Sequence, residues 1–243
     1  MWSSHEPTTH HVAMPHQVLV AILSAALNWG WTREAAVFAL AWGALLRIGE
    51  VLDASRADLI LPSGIDYTNS FGLLRIKEPK TRFRTAKHQS GRLDQPDLLE
   101  IVRIGFGRLR PSEKLWPLSR ATLRSRLVKL LTRLDLPTEN HQQPKPMSLA
   151  SFRPGGATYM MTVCDNAEQI RRRGRWASLR VMEVYLQEVM ASTYLNQISE
   201  GSKQKILLSM NMFPQLLAQA IKYDASQIPA TTWYFLFRQQ QRD

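Results

Sequence analysis

Apolar residues three and four positions apart (Val18, Leu19, Ile22, Leu23, Ala26) predict a helix over 15–28, ended by Gly30. Thr32 predicts a cap for a second helix over 33–52. That helix is apolar on most sides (Val37, Leu40, Ala41, Ala44, Leu45, Ile48), which predicts burial. Arg47 then falls near the end of a buried helix, where a charge needs a partner or a function. The rhythm next changes to short apolar runs at 59–61, 73–76 and 83–87. Turns at Pro62-Ser63-Gly64 and Glu78-Pro79-Lys80-Thr81 separate them. This predicts a small antiparallel sheet with Lys80 at a hairpin tip. Helical spacing resumes over 97–109 and over 119–134, where Ser119 opens the run and Leu123, Leu127, Leu130, Leu131 and Leu134 fill one face. A polar linker, 137–146, precedes a helix starting near Arg153-Pro154. A short helix over 165–173 closed by Gly174 follows, then one over 178–191 and another over 203–222. The fold class expected is mainly α with a small three-stranded antiparallel β-sheet.

Composition adds a partner. The 243 residues allow a sizeable core, and 44% apolar with 21% charged residues is ordinary for a globular chain. The net charge of +11 is not ordinary; it favours a polyanion, nucleic acid first and an anionic membrane second. No apolar stretch approaches the roughly 18 residues of a membrane span, so no membrane partner is expected. The start lacks a signal-peptide pattern, and the single cysteine, Cys164, allows no disulfide within the chain. An intracellular setting is expected, the nucleus if the source is eukaryotic and the cytoplasm otherwise. Cys164, in the apolar run 160–164, is expected as a small core residue. His10-His11 has no further ligands at metal-site spacing, so neither a metal nor a cofactor is expected.

The most informative stretch is 171–185, where five arginines accompany Trp176 and Tyr185 stands nine positions after that tryptophan. Arginine's planar fork suits phosphate oxygens and keeps its charge. A tyrosine is a candidate nucleophile for phosphorus once positive charge surrounds its phenol. A lysine on a hairpin tip suits protonation of a leaving oxygen. Plainer readings stand beside these. Tyr185, among Val181, Val184, Leu186 and Val189, fits a core position. Trp176 fits a packed aromatic, and Arg47 with Glu50 fits a helix-end salt bridge. Lys77, Arg82 and Lys87 compete with Lys80 for a place in a DNA groove.

Five motifs together resemble the tyrosine recombinases of the phage-integrase type. Residues 44–52 around Arg47 resemble the first-arginine motif of that family, and Lys80-Thr81 its catalytic lysine. Residues 151–158 around Arg153 resemble the second-arginine motif, and 174–178 the motif carrying a His or Trp. Tyr185, 32 positions after Arg153, matches the nucleophile. The resemblance covers about 15–195 and implies a catalytic domain there, after a flexible tail (1–14) and before a C-terminal helical extension (196–243) that relatives often exchange between protomers.

It implies DNA strand cleavage and rejoining through a 3′-phosphotyrosyl intermediate, as in recombination or integration by a mobile element. Tyr185 would attack, Arg47 and Arg153 clamp the phosphate, Lys80 protonate the 5′ oxygen, Trp176 donate its indole N–H, and Glu50 orient Arg47. Arg82, Arg84, Lys87, Arg171, Arg172, Arg173 and Arg175 would contact the backbone of double-stranded DNA. A homo-tetramer on DNA is implied. Two features depart from the pattern. Ala150 stands where the family usually has His or Lys, and only about 14 residues precede the first helix, where relatives carry a DNA-clamping domain. The alternatives are a DNA-binding remnant that no longer cuts and a type IB topoisomerase-like enzyme.

Overall fold

The computed structural model describes residues 11–62, 70–77 and 89–240. In order along the chain it has helices α1 (His16–Asn28), α2 (Thr32–Gly43) and α3 (Ile48–Asp53), then strands β1 (Leu59–Ile60), β2 (Gly72–Ile76) and β3 (Gln89–Leu93). Helices α4 (Pro96–Phe106), α5 (Arg120–Arg133), α6 (Phe152–Cys164), α7 (Ala167–Gly174), α8 (Leu179–Glu183) and α9 (Glu188–Thr193) follow. The long α10 (Glu200–Ala225) and α11 (Ala230–Gln240) end the described chain. The strands form one antiparallel sheet in the order β1-β2-β3, with Leu59 opposite Leu74 and Leu74 opposite Gly91.

Helix α2 is the centre. Every residue from Glu34 to Gly43 is buried, because α1, α4 and α6 all pack on it. Phe38 stacks on Phe152 at the start of α6, with ring centroids 4.8 Å apart. At Gly156 the two backbones approach so closely that a Cβ would fall on the carbonyl oxygen of Trp42. Helix α10 lies along α1 and α4, and its Asp224 accepts from Arg103 (2.9 Å) and Arg108 (3.0 Å). Gly30, with φ of 69°, makes the left-handed turn between α1 and α2.

Several elements differ from expectation. Thr32 lies inside α2 rather than capping it, since Trp31 holds the cap position. The helix expected over 33–52 breaks at Ala44–Arg47, with Leu45 at φ 51°. Leu45 and Leu46 have separate destinations, and a continuous helix cannot serve both. Leu45 joins a cluster with Ala157, Ile170, Trp176 and Met182, whereas Leu46 packs over Gly91 of β3. The third strand described lies at Gln89–Leu93; the expected strand at 83–87 and the Lys80 hairpin fall outside the described residues.

The helix expected over 178–191 is interrupted between Glu183 and Glu188. There the Thr158 hydroxyl accepts from the Gln187 amide (3.1 Å) and donates to the Tyr185 carbonyl (3.3 Å), competing with the helical ladder. Cys164 is exposed at the end of α6 rather than in the core. Of the expected tail, Val12, Ala13 and Met14 are buried, and the Met14 carbonyl accepts from the Trp42 indole at 3.2 Å.

Gly156→Ala is expected to cost about 2 kcal/mol or more from overpacking. The roughly 1 kcal/mol gained in helix propensity does not offset that. Urea unfolding checks it; equal or higher stability would refute the close approach.

Candidate active site

Breaking the helix at Leu45 changes what Arg47 is. It becomes the N-cap of α3 with extended backbone, and Glu50 at the third helical position closes a capping box. Glu50 accepts from the Arg47 amide at 2.8 Å and from the Arg47 guanidinium at 3.1 Å. The same carboxylate accepts from Arg175 Nη2 at 2.6 Å. Glu50 thereby joins the start of α3 to the end of α7.

Arg153 comes from the first turn of α6, where Pro154 is tolerated because early helix positions have no intrahelical amide acceptor. Its side chain donates to the carbonyl of Gly174. Its guanidinium carbon lies 4.6 Å from the centroid of the Trp176 ring and 5.6 Å from that of Tyr185. The two rings are 5.2 Å apart, tilted by 52°. Trp176 is buried and Tyr185 half-buried, in the interruption between α8 and α9. The tyrosine is therefore displayed by a turn that Thr158 and Gln187 hold.

Charge in this site is unbalanced. Arg153 is 5% exposed, and Glu50 and Arg175 retain 7% and 9% of their side-chain exposure. Burial pushes the Arg153 pKa down to about 9, with Arg47 and then Arg175 adding to the shift and Glu50 and Tyr185 opposing it. Burial also lowers Arg175, against the pull of Glu50. In this site five buried nitrogens find no acceptor among the described residues: Nε and Nη1 of Arg153, Nε and Nη1 of Arg175, and Nε1 of Trp176. Buried donors are ordinarily satisfied, and leaving them unmet costs free energy. Convergent unmet donors with excess positive charge suit an oxyanion.

The structure thus brings Arg47, Glu50, Arg153, Trp176 and Tyr185 together, and adds Arg175. Lys80, Arg82, Arg84 and Lys87 lie outside the described residues. Lys77 is held by Asp58 at 2.7 Å. Arg171 and Arg172 both bind Glu168, whose carboxyl they pull down to about 2, and Arg173 pairs with Asp94. Ala150 is exposed in the turn before α6. The inward turn of Arg175 escaped the reading of the sequence. Its signal is an arginine just past a helix end, in left-handed conformation (φ 58°), where glycine is usual.

No protein-family model matches the chain, and no curated protein matches it by sequence. Solved structures do match. The XerH site-specific recombinase bound to palindromic difH substrate, in its post-cleavage complex, is 15% identical with a TM-score of 0.52. That match covers 73% of this chain and 50% of the other. XerA recombinase is 13% identical with a TM-score of 0.53, covering 86% and 66%. The pre-cleavage XerH complex is 14% identical with a TM-score of 0.51, covering 79% and 54%. This chain spans between half and two thirds of the length of those structures. The fold is that of a tyrosine recombinase catalytic domain, as the five motifs implied. Among the described residues, no helix is long and apolar enough to cross a membrane.

Sulfate, whose charge is constant across this range, is expected to raise Tm by about 2–5 °C at pH 7. Arg153→Met should remove most of that gain. The folded protein holds the Arg153 proton less tightly than the unfolded chain does. Its charged form therefore binds sulfate below about pH 9, and the gain fades as pH rises through that value. A gain that persists unchanged at pH 10, or in Arg153→Met, would contradict the assignment.

Proposed function

We propose that this chain cleaves and rejoins strands of double-stranded DNA through a 3′-phosphotyrosyl link to Tyr185, as a site-specific recombinase or integrase derived from a mobile element. The observation that carries the reading is the set of buried, unpartnered donors on Arg153 and Trp176 beside the Tyr185 ring. A phosphodiester supplies what those donors lack, a negative charge and several acceptor oxygens. The difH substrate of the XerH complexes supports DNA as the partner.

In this reading the Tyr185 oxygen attacks phosphorus while Arg47 and Arg153 bind the non-bridging oxygens. The Trp176 indole donates a further hydrogen bond, and Glu50 fixes the Arg47 fork. Lys80 protonates the departing 5′ oxygen. With a methyl group at Ala150, the phenol proton passes to water. The chemistry needs neither ATP nor metal, because the bond energy is kept in the phosphotyrosyl ester. Arg82, Arg84, Lys87, Arg171, Arg172 and Arg173 contact flanking phosphates, and a tetramer on DNA brings four such sites together, with the 196–243 segment passing between protomers. Ala150 favours a second reading, a relative that holds DNA without cutting it.

A nicked suicide substrate that traps the adduct separates the two. Wild type is expected to form a covalent complex, Tyr185→Phe none, and Arg153→Ala one that forms about 10²–10³-fold more slowly. Salt-sensitive binding without any adduct would point to the non-cutting reading, and absence of both would overturn the two together. For a flanking contact, Arg172→Ala should weaken binding to all sequences alike and lower the salt slope by about one. An unchanged slope would remove Arg172 from the DNA contacts.

A further inference from the structure

We propose that Arg175 is a third catalytic arginine, donating to the scissile phosphate alongside Arg47 and Arg153; the inference rests on the reading of the site given above. Three observations carry it. First, Arg175 occupies a left-handed position (φ 58°, ψ 39°) at the end of α7, where a side chain is strained and glycine is not. The backbone would be easier without the side chain, so the guanidinium is what the position gains. Second, that guanidinium is turned inward. Its side chain is 9% exposed, Nη2 binds Glu50, and Nε and Nη1 are buried with no acceptor among the described residues. Arg171, Arg172 and Arg173, on the same helix, are instead paired with Glu168 and Asp94. A role limited to holding Glu50 would use one nitrogen and leave two idle, and Glu50 already has Arg47.

Third, the charge fits a transition state better than a ground state. Among the described residues, Arg47, Arg153 and Arg175 face one carboxylate, Glu50, which leaves an excess of two positive charges. A phosphodiester carries one negative charge. As the Tyr185 oxygen–phosphorus bond forms, the phenol proton leaves to water and the phosphoryl group takes on a second charge. That charge departs when the phosphorus–O5′ bond breaks and the 5′ oxygen takes up a proton. A site with two excess positive charges therefore stabilises the crowded intermediate geometry more than the bound substrate.

The test uses the trapped-adduct assay with two scissile groups, an ordinary phosphodiester and a methylphosphonate, in which a methyl replaces one charged oxygen. Arg175→Gly relieves the strained backbone and removes the guanidinium; Arg175→Lys keeps a charge if the glycine variant does not fold. On the diester, Arg175→Gly is expected to slow adduct formation about 10²–10³-fold, with Lys intermediate and DNA affinity nearly unchanged. On the methylphosphonate the gap from wild type should shrink to within about tenfold for Gly, and narrow likewise for Lys, because the charge being stabilised is gone. An equal defect on both substrates would mean a structural or positioning role, and a wild-type rate on the diester would mean no role; either overturns the proposal. A wild type that forms no adduct overturns the underlying reading, whereas a normal wild type with an indifferent variant overturns this proposal alone.

Discussion

Positive charges placed side by side repel, and burial removes the water that would screen them. Arg153 and Arg175 meet under that condition beside the part-exposed Arg47, and Glu50 is the carboxylate set among them. Its two oxygens are divided between elements far apart in the chain. One binds the Arg47 side chain, and the other binds the Arg47 amide and Arg175. Without Glu50 the start of α3 would lose its cap partner and the end of α7 its tie. Even with it, burial first and then the neighbouring arginines lower the Arg153 pKa, and burial lowers that of Arg175 against the pull of Glu50. Removing Glu50 is therefore costly, because Arg175 would stay buried without its ion-pair partner.

The scaffold is arranged to hold that excess in place. Helices α2 and α6 are locked by the Phe38–Phe152 stack, the close approach at Gly156 and the Trp42 hydrogen bond to Met14. Arg153 extends from the first turn of α6, and Arg47 from the start of α3 just beyond the end of α2. Beneath them lies a small second core of Leu45, Ala157, Ile170, Trp176 and Met182, separate from the main one. It ties α6, α7 and α8 to the break after α2. The left-handed conformations at Leu45 and Arg175 both border this small core, so local backbone strain sits next to the site.

The net charge of +11 is also distributed unevenly. The arginines of α7, conspicuous as a run in the sequence, spend much of their charge on Glu168, Asp94 and Glu50. Helix α5 contains no acidic residue, and its Arg120, Arg124, Lys129 and Arg133 are exposed without an ion-pair partner among the described residues. Arg120 lies over Gly49, so this basic face begins at the edge of the candidate site.

Periodicity and turn residues were enough to read the helical class, the antiparallel sheet and the Ser119 cap, because helix spacing and turn chemistry are local properties; the motifs around Arg47, Arg153, Trp176 and Tyr185 were read from their resemblance to tyrosine recombinases. Three-dimensional structure decided the rest. Leu45 and Leu46 belong to different hydrophobic clusters, and no pattern along 33–52 shows that their helix must break between them. Thr158 and Gln187, 29 positions apart, interrupt the helix at Tyr185 by a hydrogen bond that only packing creates. Arg175 and Glu50 are 125 positions apart, so the bond that separates Arg175 from its neighbours in the arginine run cannot be read from that run. The sequence alone determined the helical periodicity and supplied the arginine, tryptophan and tyrosine side chains. Tertiary structure decided which arginines are neutralised and which are left to meet an anion, because charge pairing depends on distance through space rather than along the chain.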